Sequence, residues 1–391
     1  MTKRICFVRQ SIYPEELCVR REVETAQRAG FETHVISLAA PAGARSWRSP
    51  EIIDGVHVHR LPLRRQKSHL GRYLYDYATF TVAAALRLTA LHLQHRFDAI
   101  QVNTMPDFLV FATLLPKLLG AKVAVMMQEP VPELWETLRE TPAPKILRLA
   151  EQWALAYADG AFTVTQQLKE AYVARGAAAD KVTVILNVPD SRFLLDQAPR
   201  PSGGPDPSHF TLISHGAIEE RYGQDTLLQA VAALRESLPC LRLRITGDGR
   251  YREAFLAQRE ALGLQAQVAY LGYVSLAQLA DELRRADVGV VAQKASAYSH
   301  LVHTGKMYDY LAFGKPVIAS RLCSVSAYFD DASLAYFKPG DPEDLARVIL
   351  DLYQHPEKRQ ALVANSQALY ACYRWENEKE KYLAMYRKWL R

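Results

Sequence analysis

The chain has few of the features that assign a protein quickly to a well-known class. Its five cysteines are scattered, odd in number and without CxxC spacing, which argues against a disulfide framework and a cysteine zinc site. No stretch reaches the ~18 apolar residues of a membrane span. MTKR leads directly into the strand-like ICFV without a signal-peptide core. We therefore expect a cytoplasmic protein in a reducing compartment.

Several catalytic signatures are absent as well. No GxGxxG follows ICFV, and GxxxxGKS, HExxH and GxSxG do not occur. Their absence disfavours dinucleotide redox enzymes, P-loop NTPases, zincins and serine hydrolases. The eleven histidines show no paired metal-ligand spacing on one helix. His57 and His59 alternate along one predicted strand and face the same way, and we interpret them as packed or solvated strand residues.

Length and composition are those of a two-domain globular protein. The 391 residues exceed one ordinary core, at roughly 100 to 200 residues per domain. A hydrophobic share of 49% with 23% charged residues argues against disordered and fibrous classes. Two well-buried cores are therefore expected.

Short β-branched runs alternate with helical patterns along the whole chain. The runs lie at 5–8, 34–38, 56–61, 98–102, 122–127, 161–165 and 182–186, and then at 210–214, 241–246, 268–273, 288–293, 316–320 and 334–337. Runs without strict polar alternation are typical of parallel strands that helices cover on both faces. The sequence therefore predicts an α/β protein with two doubly wound, Rossmann-like domains.

A segment rich in Pro, Gly and Ser separates the two halves. We predict a first domain over 1–195, a linker over 196–208 and a second domain over 209–374. The last amphipathic segment, 375–391, is predicted to pack back on the first domain. Because open α/β sheets bind ligands at the carboxyl ends of their strands, we expect the functional site in a cleft where the two sheets face each other.

The most informative segment is HTGKMYDYLAFGKPVIAS, residues 303–320. Met307, Tyr310 and Leu311 have the i, i+3, i+4 spacing of one apolar helix face. Gly314 follows where a helix end favours a residue that adopts positive φ. The segment therefore predicts a polar loop, a short amphipathic helix, a glycine stop and a buried strand.

Polar residues of this segment point away from the apolar face. A helix that begins after Thr304 and Gly305 presents unsatisfied backbone N–H groups to an anion, and Lys306 adds a full charge. Asp309, one turn further on, can accept hydrogen bonds from both hydroxyls of a ribose. Phosphate and ribose together indicate a nucleotide, and a solvated helix face is the alternative interpretation.

Glycine-containing turns follow two strands of the second half. Gly216 follows FTLIS, and Gly247 and Gly249 follow LRLRIT, where a backbone without side chains can approach a ligand closely. Arg221 lies in the loop after Gly216, and its planar fork is suited to a phosphate. Simple tight turns and a surface charge cluster are the alternatives.

In the first half, Glu129 lies in the sequence QEPVPE at the end of KVAVMM. The two prolines prevent regular structure from continuing, so its carboxylate is expected at the edge of the sheet. Glu129 is therefore a candidate for catalysis or acceptor binding, with an ordinary turn as the alternative.

Basic residues concentrate in the first half of the chain. Residues 1–192 contain 24 Lys and Arg against 19 Asp and Glu. No acidic residue interrupts the basic residues between 60 and 72, which are Arg60, Arg64, Arg65, Lys67 and Arg72. An aromatic run follows, and basic residues beside aromatics suit peripheral contact with an anionic membrane. A solvated loop before a core helix is the alternative, and no nucleic-acid motif accompanies the charge.

Together these motifs resemble the GT-B glycosyltransferases of family 4, which are retaining enzymes that use nucleotide-sugar donors. The resemblance spans nearly the whole chain and is most specific in the second half. There Gly216, Arg221 and Gly223 precede ITGDG, YLGYV and GKMYDYLAFGKPVIAS, while NVPD is similar to the domain-end motif of the family. The resemblance implies a GT-B fold, with acceptor binding by the first domain and donor binding by the second.

The resemblance also implies roles for residues of the donor domain. Thr304, Gly305 and Lys306 would hold the donor diphosphate with help from Arg221. The loop at Gly272 and Tyr273 would border the base.

One position departs from the family pattern. Asp309 matches the second glutamate of the Glu-x7-Glu motif, which binds ribose, whereas Leu301 occupies the position of the first. Members with a short K-x-x-E-Y helix also lack the first carboxylate, so activity is still expected.

The reaction implied by the resemblance retains the anomeric configuration of the sugar. The acceptor attacks the face that the diphosphate leaves, the departing diphosphate takes the acceptor proton, and Arg221 and Lys306 stabilise its charge. This scheme requires neither a metal nor another cofactor. A UDP- or GDP-linked sugar is the expected donor.

The implied acceptor is a glycan or a lipid-linked glycan of cell-surface polysaccharide or lipopolysaccharide assembly, at the inner face of the plasma membrane. A nucleotide-sugar epimerase of the same fold is one alternative. A non-catalytic subunit that binds nucleotide sugars or glycans is the other, because the Glu-x7-Glu motif is altered.

Overall fold

The computed structural model describes residues 2–39, 50–63, 70–195 and 205–390. Its described residues divide into two compact units at Asn187, and the C-terminal residues from Glu376 onward belong to the first unit. The division thus precedes the predicted boundary at 195. Most of the predicted linker, residues 196–204, lies outside the described residues.

The first unit contains an eight-stranded sheet in the order β3-β4-β2-β1-β5-β6-β7-β8. Its pairs are parallel except for the antiparallel pair of β3 and β4. The strands are β1 (Arg4–Val8), β2 (Glu32–Leu38), β3 (Glu51–Ile53), β4 (Val56–Leu61), β5 (Ala99–Asn103), β6 (Lys122–Met127), β7 (Gly160–Thr163) and β8 (Val182–Val184). The short strand β3 was not predicted, because three exposed or half-buried residues give no periodic signal.

Helices pack on this sheet between the strands. They are α1 (Leu17–Arg28), α2 (Leu70–His95), α3 (Leu114–Leu118), α4 (Val131–Arg139), α5 (Lys145–Tyr157) and α6 (Gln166–Ala174). A 3-10 helix, Asp107–Thr113, precedes α3. The buried strands carry mainly apolar residues, as parallel strands covered by helices require.

The second unit contains a six-stranded parallel sheet in the order β11-β10-β9-β12-β13-β14. Its strands are β9 (Phe210–His215), β10 (Leu241–Thr246), β11 (Val268–Tyr270), β12 (Val288–Val291), β13 (Val317–Ser320) and β14 (Ala335–Phe337). Four predicted strands were too long: β7, β8 and β12 end two residues before their predicted ends, and β11 ends three residues before 273. The apolar continuation of these sequences forms the loops after the strands.

The helices of the second unit complete the predicted α/β class. They are α7 (Arg192–Leu195), α8 (Gln224–Ala233), α9 (Arg252–Ala261), α10 (Leu276–Arg285), α11 (Ala297–Leu301), α12 (Lys306–Ala312), α13 (Cys323–Ser326), α14 (Pro342–Gln354) and α15 (Pro356–Tyr373). A 3-10 helix, Glu220–Tyr222, lies between β9 and α8. The apolar core includes residues of β9, β10, β12, α8 and α14.

The last helix, α16 (Trp375–Trp389), packs on the sheet of the first unit. Tyr382 and Tyr386 are fully buried, and the hydroxyl of Tyr382 donates to Gln101 Oε1 in β5 at 2.7 Å. Glu378 is also buried, and its carboxylate accepts from the backbone N–H of Leu186 at 3.0 Å. A side chain at Gly160 would overlap Met385, so β7 and α16 approach closely.

Candidate functional site

Three glycine turns meet at the carboxyl ends of β9, β10 and β11. The backbone N–H of Gly216 donates to Thr246, and that of Gly247 donates to Gly272 at 2.7 Å. A Cβ on Gly247 would lie 1.9 Å from the carbonyl oxygen of Gly216. A Cβ on Gly249 would lie 2.1 Å from the carbonyl oxygen of Ile218. The absence of side chains at these glycines therefore allows the turns to pack against each other.

The side chain of Lys306 lies directly over one of these turns. A Cβ on Gly216 would be 2.6 Å from Lys306 Cε, and φ at Gly216 is +95°. Lys306 Nζ also lies 4.0 Å from the centre of the Tyr222 ring, a cation–π distance. Lys306 is the first residue of α12, after Thr304 and Gly305. Because α12 has only seven residues, the side-chain ammonium is its main source of positive charge.

Arg221 brings a second cation to the same place. Its guanidinium carbon lies 4.8 Å from the centre of the Tyr222 ring, on which Lys306 also packs. Its Nη1 atom is 3.9 Å from Glu219 Oε2, so that ion pair is loose. The structure thus brings together the two cations that the sequence analysis proposed for a diphosphate.

Asp309 lies one helical turn after Lys306 and faces the end of β9. Its Oδ2 is 3.4 Å from His215 Nε2, although the geometry is not that of a hydrogen bond. Tyr310 fixes the position of α12, because its ring packs on Gly289 in β12 and its hydroxyl accepts from the backbone N–H of His215. The predicted apolar face of this helix is buried, and Gly314 has a φ of +64°.

Burial shifts the titration of the charged groups at this site. Desolvation raises the pKa of Asp309 to about 8, and the charge of Lys306 only partly opposes this shift. Desolvation, then the charge of Arg221, lowers the pKa of Lys306 to about 7, against the effect of Asp309. Burial and the charge of Lys306 lower the pKa of His215 to about 3, so this imidazole is neutral. Such shifts are typical of groups held ready for a charged ligand.

The sequence analysis missed two residues of this site. His215 ends β9 directly before Gly216, and Tyr222 lies beneath both cations. His215 directly follows the predicted strand 210–214, and this position was a signal that it borders a site. Nothing local distinguished Tyr222, because its contact with Lys306 joins residues far apart in the chain.

Tyr273 lies in the loop after β11, and 88% of its surface is exposed. The neighbouring Gly272 has a φ of +66° and open space where a side chain would be. An exposed aromatic ring beside such a turn has room to stack on a base, and the role of this loop stays a prediction.

The first unit has polar groups of its own at the carboxyl ends of its strands. Glu129 is half-buried between β6 and α4. Desolvation lowers the pKa of Arg9, but the charge and hydrogen bond of Glu16 and, more weakly, the charge of Glu129 raise it, and the net shift is upward. A cavity of about 300 Å³ lies beside the loop after β1. Its lining residues are Gln10, Leu38, Pro62, Leu63, Arg72, Tyr75, Asp76 and Thr79. The structure assigns no chemistry to Glu129.

The predicted basic surface is only partly described, because Arg64, Arg65 and Lys67 lie outside the described residues. Arg60 pairs with Glu51 at 2.7 Å, and Arg72 pairs with Asp76 at 2.9 Å. The segment has no acidic residue in sequence, yet the fold supplies a carboxylate to both arginines.

The following helix α2 carries an exposed apolar stripe. The stripe consists of Tyr75, Val82, Leu86 and Leu93, between 57% and 70% exposed, whereas the exposed Leu74 lies about 100° away from it around the helix. At 100° per residue these four lie within about 40° of each other around the helix. Among the residues that the structure describes, no helix has the length and hydropathy needed to cross a membrane.

Comparisons with known proteins cover both units. The family "Glycosyl transferases group 1" matches residues 197–369, and "Glycosyl transferase 4-like domain" matches residues 16–187. The D-inositol 3-phosphate glycosyltransferase of Rhodococcus erythropolis is 26% identical in an alignment of 262 positions that covers 64% of this chain. The chain covers 58% of the length of that relative.

Solved structures share the fold over nearly the full chain. Sucrose-phosphate synthase from Thermosynechococcus elongatus has a TM-score of 0.77 at 17% identity. The superposition covers 99% of this chain and 98% of the synthase chain. The Anabaena protein HepE, solved in complex with UDP-glucose, has a TM-score of 0.72 at 17% identity, with 98% and 99% covered. The two parallel sheets and the two family matches agree, and the chain belongs to the group 1, family 4-like glycosyltransferases with the GT-B fold.

Proposed function

We propose that the protein is a retaining glycosyltransferase that moves a sugar from a nucleotide-sugar donor to a glycan or lipid-linked acceptor. The observation that carries this proposal is the placement of Lys306 and Arg221 on Tyr222, with Asp309 one helical turn away. Two cations beside one carboxylate suit the diphosphate and the ribose of a nucleotide. Membership of the family supports the same reaction class.

In this proposal Lys306 and Arg221 bind the donor diphosphate and stabilise the charge that develops as it leaves. The acceptor oxygen bonds to the anomeric carbon on the face from which the sugar–diphosphate bond breaks. A diphosphate oxygen then takes the acceptor proton. The two side chains supply the positive charge that a metal supplies in other transferases, so the proposed reaction uses no metal.

Asp309 and Tyr273 are proposed to bind the nucleoside. The carboxylate of Asp309 would accept hydrogen bonds from the ribose hydroxyls, and the exposed ring of Tyr273 would lie against the base. UDP is the first nucleotide to test, because HepE has been solved with UDP-glucose. GDP is the second.

Binding of UDP is expected to raise the unfolding temperature of the protein, and Asp309→Asn is expected to weaken this effect. At ~100 times Kd the ligand should stabilise the fold by about 2.7 kcal/mol. Without UDP the variant should be the more stable protein, because burial raises the pKa of Asp309 to about 8 and the ionised carboxylate is held in the fold at a cost. Thermal unfolding at pH 9, with and without UDP, GDP, ADP or NAD, measures both effects.

The sign of the pH effect follows from the direction of that shift. The folded protein binds the Asp309 proton more tightly than the unfolded chain, whose ordinary pKa is about 3.9. Stability from this group is therefore present at low pH, falls as pH rises through the interval up to about 8, and is fully lost above it. The proposed donor site would be refuted if no nucleotide raised the unfolding temperature. It would also be refuted if UDP raised the unfolding temperature of Asp309→Asn as much as that of the wild type.

Two other activities remain as outcomes of a second experiment. Incubation with UDP-glucose in the absence of an acceptor is expected to yield slow hydrolysis, as an idle transferase produces. Conversion to a different sugar nucleotide, seen by NMR, would indicate an epimerase. Binding without any turnover, with or without acceptor glycans, would favour a non-catalytic binding subunit.

The acceptor is proposed to bind the first unit near Glu129 and the cavity beside Gln10. Gln10 Oε1 is buried and has no hydrogen-bond partner among the described residues, so a sugar hydroxyl is a suitable donor to it. Glu129 would contact the acceptor or assist its deprotonation. Cell-surface polysaccharide or lipopolysaccharide assembly would supply a glycan of this kind.

We also propose that the first unit contacts an anionic membrane while remaining on its cytoplasmic side. The exposed stripe of α2, defined by Tyr75, Val82, Leu86 and Leu93, spans about 27 Å along the helix axis at 1.5 Å per residue. A helix with such a stripe suits a position in the plane of the interface. The predicted basic residues Arg64, Arg65 and Lys67 precede the helix and would add attraction to acidic lipids.

Leu86→Glu is expected to lower the affinity for vesicles that contain anionic lipid by at least tenfold. Burying a leucine side chain contributes about 1.5–3 kcal/mol, and a charge in its place opposes insertion. Co-sedimentation with vesicles measures the partition coefficient. Leu138→Glu, which alters an exposed leucine of α4 outside the stripe, is the matched control. Equal binding by the two variants, or no loss when Arg64, Arg65 and Lys67 are neutralised, would contradict the proposal.

A further inference from the structure

A cluster of histidines lies at the edge of the first sheet that carries the amino ends of β2 and β4. Glu32 and His34 begin β2, and His57 lies near the start of β4. His34 Nε2 is 3.0 Å from Glu32 Oε1, and the rings of His34 and His57 stack at 4.7 Å. One ligand atom from each of these three residues lies within 4.8 Å of the other two. The cavity beside Gln10 lies at the opposite, carboxyl end of these strands.

Neighbouring side chains hold these groups in place. Arg4 Nε donates to Glu32 Oε2 at 2.9 Å, which leaves the other carboxylate oxygen toward His34. The Nδ1 atom of His34 lies 3.0 Å from His59 Nε2, so its second nitrogen is also engaged. Supporting contacts of this kind orient the ligands of metal sites.

The hydrogen bonds also reveal where the ring protons lie. An arginine can only donate, so Arg87, 3.2 Å from His59 Nδ1, leaves the proton of neutral His59 on Nε2. His59 then donates to His34 Nδ1, and His34 Nε2–H donates to Glu32 Oε1. A metal at His34 Nε2 would move that proton to Nδ1 and reverse the His34–His59 bond. Arg87 must then leave His59, and the half-exposed side chain has room to do so.

The separations suit a small cation. Bonds of about 2.0–2.1 Å place neighbouring ligands of a tetrahedral zinc ion about 3.3 Å apart. Glu32 Oε1 and His34 Nε2 are 3.0 Å apart, which is close to this separation. The ligand atom of His57 lies within 4.8 Å of the other two, so small rotations of the side chains bring all three to one ion. One carboxylate and two imidazoles form a donor set that binds zinc with one position left open. The ring of His95 is centred 4.8 Å from that of His34 and is a further imidazole beside the cluster.

We propose that Glu32, His34 and His57 form a zinc-binding site that ties β2 to β4 at the edge of the first sheet. The site is independent of the proposed sugar transfer, because its residues lie at the amino ends of the strands. Zinc binding would stabilise this part of the first unit, in which β4 pairs with the short strand β3.

Titration of tag-free, metal-free protein with zinc against a chromophoric chelator tests the site. One zinc ion per chain is expected, together with a rise in unfolding temperature that follows mass action. His57→Ala and Glu32→Gln should each weaken binding at least tenfold. Arg87→Gln should strengthen it, because the variant no longer opposes the proton shift. His355→Ala is the control, since His355 lies in the second unit and pairs with Asp351 at 3.0 Å.

Two results would overturn the proposal. The first is zinc binding that His57→Ala and Glu32→Gln leave unchanged, or no binding at all. The second is sulfur ligation in the X-ray absorption spectrum, which would place the ion on cysteines such as the exposed Cys323 or Cys372. Equal unfolding temperatures of metal-free wild type and His57→Ala would show that weaker binding is not caused by misfolding.

Discussion

Lys306→Ala and Arg221→Ala are each expected to reduce the rate of sugar transfer by about 10² to 10³. Both side chains pack on Tyr222 and lie at the proposed diphosphate position. Removing one group aimed at developing negative charge typically has an effect of this size. Steady-state rates with UDP-glucose and a suitable acceptor, together with release of UDP, measure the loss.

The expected loss is in the chemical step, because the charge on the diphosphate grows as the sugar leaves. The value of kcat should therefore fall more than the affinity for UDP. Lys306→Arg should recover part of the rate, since it restores the charge but not the fit against Gly216. Lys338→Ala, at a side chain that is 77% exposed, is the matched control. A loss below tenfold in both alanine variants would remove Lys306 and Arg221 from the mechanism.

Stability separates this role from a structural one. Desolvation lowers the pKa of Lys306 to about 7, so its ammonium form is held in the fold against its solvation preference. Lys306→Ala should therefore unfold at a temperature no lower than that of the wild type at pH 6. An inactive variant with an intact fold would locate the loss at the site.

Much of the fold was predictable because parallel sheets carry a strong local signal. After its first lysine KVAVMM is apolar through its length, and LRLRIT alternates leucine or isoleucine with polar residues; the structure places both in strands inside the sheets. The spacing of Met307, Tyr310 and Leu311 predicted α12 correctly. These elements are determined by residues within a few positions of each other.

Long-range contacts were less accessible. Nothing near His215 in sequence indicates that Asp309 lies 3.4 Å away, and nothing near Arg60 indicates its ion pair with Glu51. The histidine cluster is the clearest case, because His34 and His57 are stacked through the pairing of β2 with β4. Register between strands, and not spacing along one of them, creates such groups.

Tyr382→Ala is expected to destabilise the first unit by about 3–5 kcal/mol. Its ring is fully buried against Phe162 and Tyr386, and truncation of a buried aromatic residue leaves a cavity. The loss also removes a donor to Gln101, whose amide donates in turn to the buried Glu22. Urea unfolding followed by tryptophan fluorescence in a Trp375→Phe background reports on this unit, since Trp135, Trp153 and Trp389 belong to it and Trp375 belongs to the second unit.

Two further variants separate packing from hydrogen bonding. Tyr382→Phe keeps the ring and should lower the free energy of unfolding by only about 1 kcal/mol, the usual contribution of one hydrogen bond. Tyr353→Ala, at a residue that is 40% exposed in the second unit, should leave the fluorescence transition unchanged. If Tyr382→Ala instead matches Tyr353→Ala, α16 is not an integral part of the first core. A large loss would mean that the C-terminal helix, remote in sequence, completes the sheet on which the proposed acceptor groups depend.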